Sequence, residues 1–323
     1  MKEIAIITGG DSAEYEISIQ SANVVLKNLD SEKYAGTIIH IKNGKWTAII
    51  NSSHHKINKE DFSVEINSEK KYFDYVFMAL HGPPAENGQI QPYFDDLKIK
   101  YSSCNSEVSA LTFNKIECNK KLTKLGFNCA KSLHHKKGDS INTDQITKTL
   151  GLPCFIKPNQ GGSSFGISKV NNQDEIKEAI NNALIHDDIV LMEQFIDGVE
   201  LSCGVTIQEG KVKAFPITEI ISQNDFFDYT AKYEGLSEEI TPARISEKHT
   251  KELQQTSEQI YKQMNLRGIC RIDFIIMNDI PYIIEINTIP GLSEESIIPK
   301  QAKEAGISLV QLFDSCIENT LNK

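Results

Sequence analysis

The sequence predicts an α/β or α+β chain arranged in two or three lobes. Three observations carry this. Buried-looking apolar runs, Glu3-Ile4-Ala5-Ile6-Ile7-Thr8 and Tyr75-Val76-Phe77-Met78-Ala79-Leu80, each lead into a glycine-bearing loop. Helical i, i+3, i+4, i+7 spacing alternates with short strand-like runs along the chain, the pattern of layered sheets and helices. At 323 residues the chain exceeds one typical domain and suggests about two. Hydrophobic residues make up 40% and charged residues 24%, which fits a globular protein and not a disordered or fibrous one.

Taken in order, the first run reads as a buried strand closed by Gly9-Gly10, followed by a helix with Ala22, Val25, Leu26 and Leu29 on one face and Ser18 as its cap. Strands alternating with helices to about residue 114 predict an open parallel sheet, in which ligands gather beyond the carboxyl ends of the strands. From 115 the pattern changes. Short strands flank a glycine loop at 160–166, a helix covers about 174–186, and a strand runs over 189–195 to an Asp197-Gly198 turn. Strands near 201–208 and 211–220 precede an aperiodic stretch at 222–242, long enough to predict a functional loop or lid. A helix over 246–264 leads to a hairpin pairing 268–277 with 281–287 across Asn278-Asp279.

Charge and thiols narrow the class of partner. The balance of 44 acids against 34 bases, a net −10, argues against nucleic acid or an anionic membrane as the main partner. No apolar run approaches the roughly 18 residues of a membrane span. The N-terminal apolar stretch is too short for a signal-peptide core, and seven scattered cysteines without a CxxC fit reduced thiols in the cytoplasm.

Two segments could carry chemistry. In Lys157-Pro158-Asn159-Gln160-Gly161-Gly162-Ser163-Ser164-Phe165-Gly166, small residues allow backbone N–H groups close to a polyphosphate, and the lysine adds countercharge. A hairpin turn uses the same residue types. The second constellation is sharper. Side chains two apart share a strand face, so Arg271 aligns with Asp273 and Glu285 with Asn287. Antiparallel pairing brings two carboxylates and an amide oxygen together, a set of hard ligands suited to Mg²⁺ on nucleotide phosphates. A structural Arg–acid pair is the plainer reading. The Pro290-Gly291 turn beyond could present an N–H to an oxyanion, and Glu14, at a strand-to-helix loop, could hold an ammonium or simply favour the helix start.

Together these segments resemble the D-alanine–D-alanine ligases, a family of ATP-grasp enzymes, across nearly the whole chain. The matches are Gly-Gly-x-Ser-Ala-Glu (9–14), Ala-Leu-His-Gly (79–82), Leu-Thr-Phe-Asn-Lys (111–115), Ile-Lys-Pro with Gly-Ser-Ser-x-Gly (156–166), Asp-Tyr-x-Ala-Lys-Tyr (228–233), Arg-Ile-Asp (271–273) and Glu-Ile-Asn-Thr-x-Pro-Gly (285–291). The resemblance implies an N-terminal parallel-sheet (pre-ATP-grasp) domain over 1–114, a central ATP-grasp lobe over 115–199 and a C-terminal lobe over 200–323. It implies ATP contacts from Lys115, Lys157, Ser163, Ser164 and Lys232, adenine near Glu193 and ribose at Glu200. Asp273, Glu285 and Asn287 would hold two Mg²⁺, or Mn²⁺, while Arg271 and the Gly291 N–H stabilise the oxyanion. Glu14 would bind the first D-alanine's ammonium, with His81 near its carboxylate, and Ser296 would receive the second D-alanine. Glu14, Ser163 and Tyr233 match a trio that the family links across its lobes to close the site.

The implied reaction is ATP-dependent joining of two D-alanines through a D-alanyl phosphate, for peptidoglycan precursors, by a cytoplasmic homodimer. The chain departs from the family pattern at Ala85, which replaces a glycine, at Pro92, and at Glu294-Glu295 in the acceptor segment; Glu295, if it faces the pocket, bears on acceptor choice. The alternative is another ATP-grasp carboxylate–amine ligase with a different acceptor. Glu14, His81 and the Ala-Lys-Tyr loop discriminate against it.

Overall fold

A computed structural model describes residues 1–162, 165–222 and 237–321. Strand β1 (Lys2–Gly9) is fully buried from Ile4 to Ile7, as its unbroken apolar run requires of a strand covered on both faces. Helix α1 (Tyr15–Lys27) follows. Ser18 lies inside this helix and does not cap it; the N-cap position is Glu14, whose side chain makes no capping bond. Strands β2 (Tyr34–Lys42), β3 (Lys45–Ile50), β4 (Ser53–Asn58), β5 (Ser63–Ile66), β6 (Glu69–Lys71) and β7 (Tyr75–Met78) come next. After helix α2 (Gln91–Asp96), β8 (Lys100–Tyr101) completes one sheet of order β6-β5-β4-β3-β2-β1-β7-β8.

Only β2, β1, β7 and β8 are parallel. From β2 to β6 the sheet is an antiparallel meander that the expected parallel sheet did not include. Its turns at Asn43-Gly44, Asn51-Ser52 and Asn67-Ser68 take positive φ at both central residues, the twist that two-residue hairpins favour.

Helices α3 (Ser106–Phe113) and α4 (Lys115–Lys124) are capped by the side chains of Asn105 and Asn114. Both bury residues, among them Val108, Cys118 and Leu122, in the hydrophobic core of the C-terminal sheet. The central lobe holds β9 (Ser132–Lys136), α5 (Thr143–Leu150), β10 (Cys154–Pro158), β11 (Ser168–Val170), α6 (Ile176–Ala183) and β12 (Ile189–Gln194), in an antiparallel sheet of order β11-β10-β12-β9. The glycine segment thus joins antiparallel β10 and β11, as the sequence predicts.

The C-terminal lobe begins with β13 (Val199–Gln208), β14 (Lys211–Ala214), β15 (Thr218–Ser222) and β16 (Ser237–Ile240). The single strand expected over 211–220 is therefore two, separated by Phe215-Pro216-Ile217, where Pro216 has no N–H for a ladder. Helix α7 (Glu247–Gln263), with Ser246 as N-cap, precedes β17 (Cys270–Met277) and β18 (Ile280–Asn287). Helices α8 (Ile297–Glu304) and α9 (Leu309–Leu321) end the chain. The last helix crosses back: Leu312, Phe313 and Ile317 share a core with Ile4, Ile6 and Phe77 of the first sheet. No described helix is long and apolar enough to cross a membrane.

Candidate active site

The β17–β18 hairpin turns at Asn278-Asp279, both at positive φ, and its register places Asp273 opposite Glu285 and Arg271 opposite Asn287. Period-2 alternation puts all four on one face, as expected. Arg271 grips Asp273 with Nε at 2.9 Å and a terminal nitrogen at 2.7 Å, and lies 3.9 Å from Glu285. Ser202 donates to the first oxygen of Asp273 at 2.7 Å. The Asn287 amide nitrogen reaches Asp273 at 3.0 Å and Glu285 at 3.3 Å. The Arg271 guanidinium, the Ser202 hydroxyl and the Asn287 amide N–H thus converge on the two carboxylates. Rotating the Asn287 amide by half a turn would offer its oxygen beside the two carboxylates, so this donor set fits a hard divalent ion.

This face opens on a cavity of about 400 Å³ that all three lobes line. The N-terminal lobe contributes Glu14, His81 and Glu86. Lys115 reaches the Gly161 carbonyl at 2.8 Å, so the start of α4 is tied to the glycine loop. Lys157 is nine-tenths buried and ion-paired with Glu193. Glu193 also accepts from the Asn119 amide at 2.9 Å. The lysine expected at phosphate and the glutamate expected at adenine are thus neighbours on adjacent strands of one sheet. Glu200 lies half-buried on β13, between β15 and β17. Ser163, Ser164, Lys232 and Tyr233 lie outside the described residues.

Gly291 packs so closely on Ser296 that a Cβ would sit 2.7 Å from the serine oxygen. Ser296 pairs with Ser293 at 2.7 Å and heads α8. Glu295 lines the same mouth, but its side chain is 92% exposed and pairs with Lys300 at 3.5 Å. Ala85 is buried, and the positive φ of its loop falls at Gly82 and Gly88. Pro92 occupies the first turn of α2, where a missing N–H costs nothing.

Two residues in this site were given no role by the sequence reading. Glu86 is half-buried, and burial, with Glu14 and then Glu285 as like-charged neighbours, raises its carboxyl well above the usual range. Its only sequence signal is its place five residues after His81 in the matched loop. Ser21 gives no signal, being one small residue on a helix face. His81 lines the cavity, but its Nδ1 meets the Ile289 carbonyl at 2.8 Å and its Nε2 meets Ser21 Oγ at 2.9 Å. Neither ring nitrogen is left open to a substrate carboxylate.

Two antiparallel sheets facing a cleft with lysines, a glycine loop and clustered carboxylates define an ATP-grasp ligase architecture. The family described as D-ala D-ala ligase N-terminus matches residues 3–104, and D-ala D-ala ligase C-terminus matches 121–318. A D-alanine–D-alanine ligase from Flavobacterium johnsoniae is 51% identical over 99% of this chain and 100% of its own length. One from Christiangramia forsetii is 47% identical over 100% and 99%. Among solved structures, D-alanyl-alanine synthetase A from Vibrio cholerae superposes with a TM-score of 0.89 at 27% identity, covering 100% of this chain and 99% of its own. The Bacillus anthracis D-alanine–D-alanine ligase complexed with ATP gives 0.81 at 29%, covering 100% and 98%. The chain belongs to the D-alanine–D-alanine ligase family.

Proposed function

We propose that the protein joins two D-alanines at the expense of ATP, forming the dipeptide that ends the peptidoglycan precursor stem. The observation that carries this is one cavity lined by Glu14, Lys115, Lys157, Arg271, Glu285 and Gly291, drawn from all three lobes. An ammonium anchor, phosphate-facing cations, acidic metal ligands and an oxyanion donor are the parts that acyl-phosphate chemistry needs. Glu14, freed from capping, holds the donor's ammonium. The donor's carboxylate oxygen attacks the γ-phosphorus and ADP leaves, with Lys115 and Lys157 offsetting phosphate charge. The acceptor's amine, having lost a proton, attacks the acyl carbon beside Arg271 and the Gly291 N–H, and inorganic phosphate departs with one carboxylate oxygen. Asp273, Glu285 and Asn287 would hold Mg²⁺ or Mn²⁺, which would offset the negative charge of the nucleotide phosphates there.

Ser296 and the adjoining backbone receive the acceptor. Glu295 stands at the mouth of the same cavity, where its carboxylate is exposed and pairs with Lys300. Ser163, Ser164, Glu193, Glu200 and Lys232 complete the nucleotide contacts, and Tyr233 joins Glu14 and Ser163 across the lobes; of the stretch expected as a loop over 222–242, Ser237–Ile240 is strand β16. A reaction fed by ATP supports a cytoplasmic enzyme. The family resemblance supports a homodimer, which sedimentation would test. The intermediate is tested with D-alanine carrying ¹⁸O in its carboxylate: one labelled oxygen should appear in the released phosphate. Unlabelled phosphate would rule out an acyl phosphate.

A further inference from the structure

Ser21 is 0% exposed and sits at the centre of a short polar chain. Its Oγ accepts the Leu292 N–H at 3.1 Å and lies 2.9 Å from His81 Nε2. The other ring nitrogen, Nδ1, is 2.8 Å from the Ile289 carbonyl oxygen. A carbonyl oxygen only accepts, so Nδ1 carries the ring proton and the neutral ring accepts at Nε2. The Ser21 hydroxyl therefore donates to His81. Burial lowers the His81 pKa and Arg271 adds to this, against the pull of Glu14 and the Ile289 carbonyl, which favours the neutral ring. The bonds run from Leu292 N–H to Ser21, from Ser21 to His81, and from His81 back to Ile289. They leave and return to one turn, on either side of Pro290-Gly291. The His81 backbone N–H is held in addition by Ser18 Oγ at 3.0 Å, one helical turn from Ser21 on α1.

We propose that Ser21 and His81 are positioning residues that aim the Gly291 N–H, by clamping the turn 289–292 of the C-terminal lobe to helix α1 of the N-terminal lobe. The clamp rests on the reading of Gly291 as the oxyanion donor. Glu14 begins the same helix, so the element that anchors the donor's ammonium also fixes the group that meets its developing oxyanion. Such donors act through direction: a misplacement of about 1 Å can cost about 10²-fold in rate.

The test compares the unsubstituted enzyme with Ser21→Ala and Ser21→Thr. It reads kcat, KM for ATP, and affinity for a phosphinate analogue of the dipeptide, whose tetrahedral phosphorus imitates the addition step. Ser21→Ala should lower kcat by about 10- to 100-fold and loosen the phosphinate by a similar factor, with KM for ATP within about 2-fold; Ser21→Thr should recover most of both. Phosphinate affinity unchanged in Ser21→Ala overturns the clamp. Should the phosphinate bind the unsubstituted enzyme no tighter than D-alanine, the oxyanion reading fails and takes the clamp with it. An independent readout needs no Ser21 variant: ¹⁵N NMR of histidine-labelled protein, with His81 assigned by its loss in His81→Asn. The expected signal is the Nδ1–H tautomer at neutral pH; an Nε2–H tautomer overturns the proposal whatever the kinetics.

Discussion

At the scale of single residues, the site concentrates negative charge and leaves room for cations to relieve it. Glu285 faces Asp273 across the hairpin, and its side chain is 32% exposed, so its removal opens no hole in the core. Glu285→Ala is expected to lower turnover by about 10²-fold or more while circular dichroism stays unchanged, because the proposed metal ligand is lost but no packing. Glu86 predicts a pH dependence. Its carboxyl is raised in the folded chain by burial, Glu14 and Glu285, so the folded state prefers it protonated. That contribution is fully present below the unfolded value of about 4.3 and is lost as pH rises through the folded one. Glu86→Gln should therefore raise the melting temperature of the ligand-free protein by about 2 °C or more at pH 8, and by little near pH 4. Thermal melts at the two pH values check this; an equal shift at both would show that the Glu86 carboxyl is not raised in the folded chain.

At the scale of elements, what was legible in the sequence followed from strict local rules. The Arg271-Ile272-Asp273 and Glu285-Ile286-Asn287 arms show period-2 spacing, and Asn278-Asp279 suits a two-residue turn, so the face that these four polar side chains share is legible in the sequence. Helix α7 was equally plain from Ser246 onward. Ser246→Ala removes the acceptor for the His249 N–H at 3.2 Å and should cost about 1 kcal/mol, measurable by urea unfolding; no loss would mean that the cap is not formed in solution. The misreadings share a cause, because tertiary partners are invisible in local pattern. Ser18 looks like a cap but sits within α1, where its hydroxyl bonds the Glu14 carbonyl and accepts from His81, 63 positions away. The meander β2–β6 is hard to read locally although Asn43-Gly44 is a hairpin signal, because β4, β5 and β6 run only six, four and three residues and carry few apolar side chains. The ring partners of His81 are equally hidden from local pattern, Ser21 lying 60 positions away and Ile289 208.

At the scale of the whole molecule, the active site exists because distant segments hold three lobes in register. Helix α9 returns to the first sheet, where Phe313 meets Phe77 edge-on at 5.4 Å, and Tyr34 bonds both Asp314 and Glu318. Phe313→Ala should cost about 3–5 kcal/mol and reduce activity in proportion to unfolding, measured by denaturant melts beside turnover. A stable but inactive variant would assign α9 a role in lobe alignment beyond stability. Glu14 and the Arg271, Glu285 and Asn287 side chains line one cavity, which couples ATP to dipeptide synthesis in the function proposed above. That coupling is tested most directly by incubating the purified protein with ATP, Mg²⁺ and D-alanine and measuring ADP and dipeptide together, with L-alanine and no amino acid as controls. One ADP should be released for each D-alanyl-D-alanine formed, and neither product should appear in the controls. ADP released without dipeptide, or at the same rate in every mixture, would contradict it.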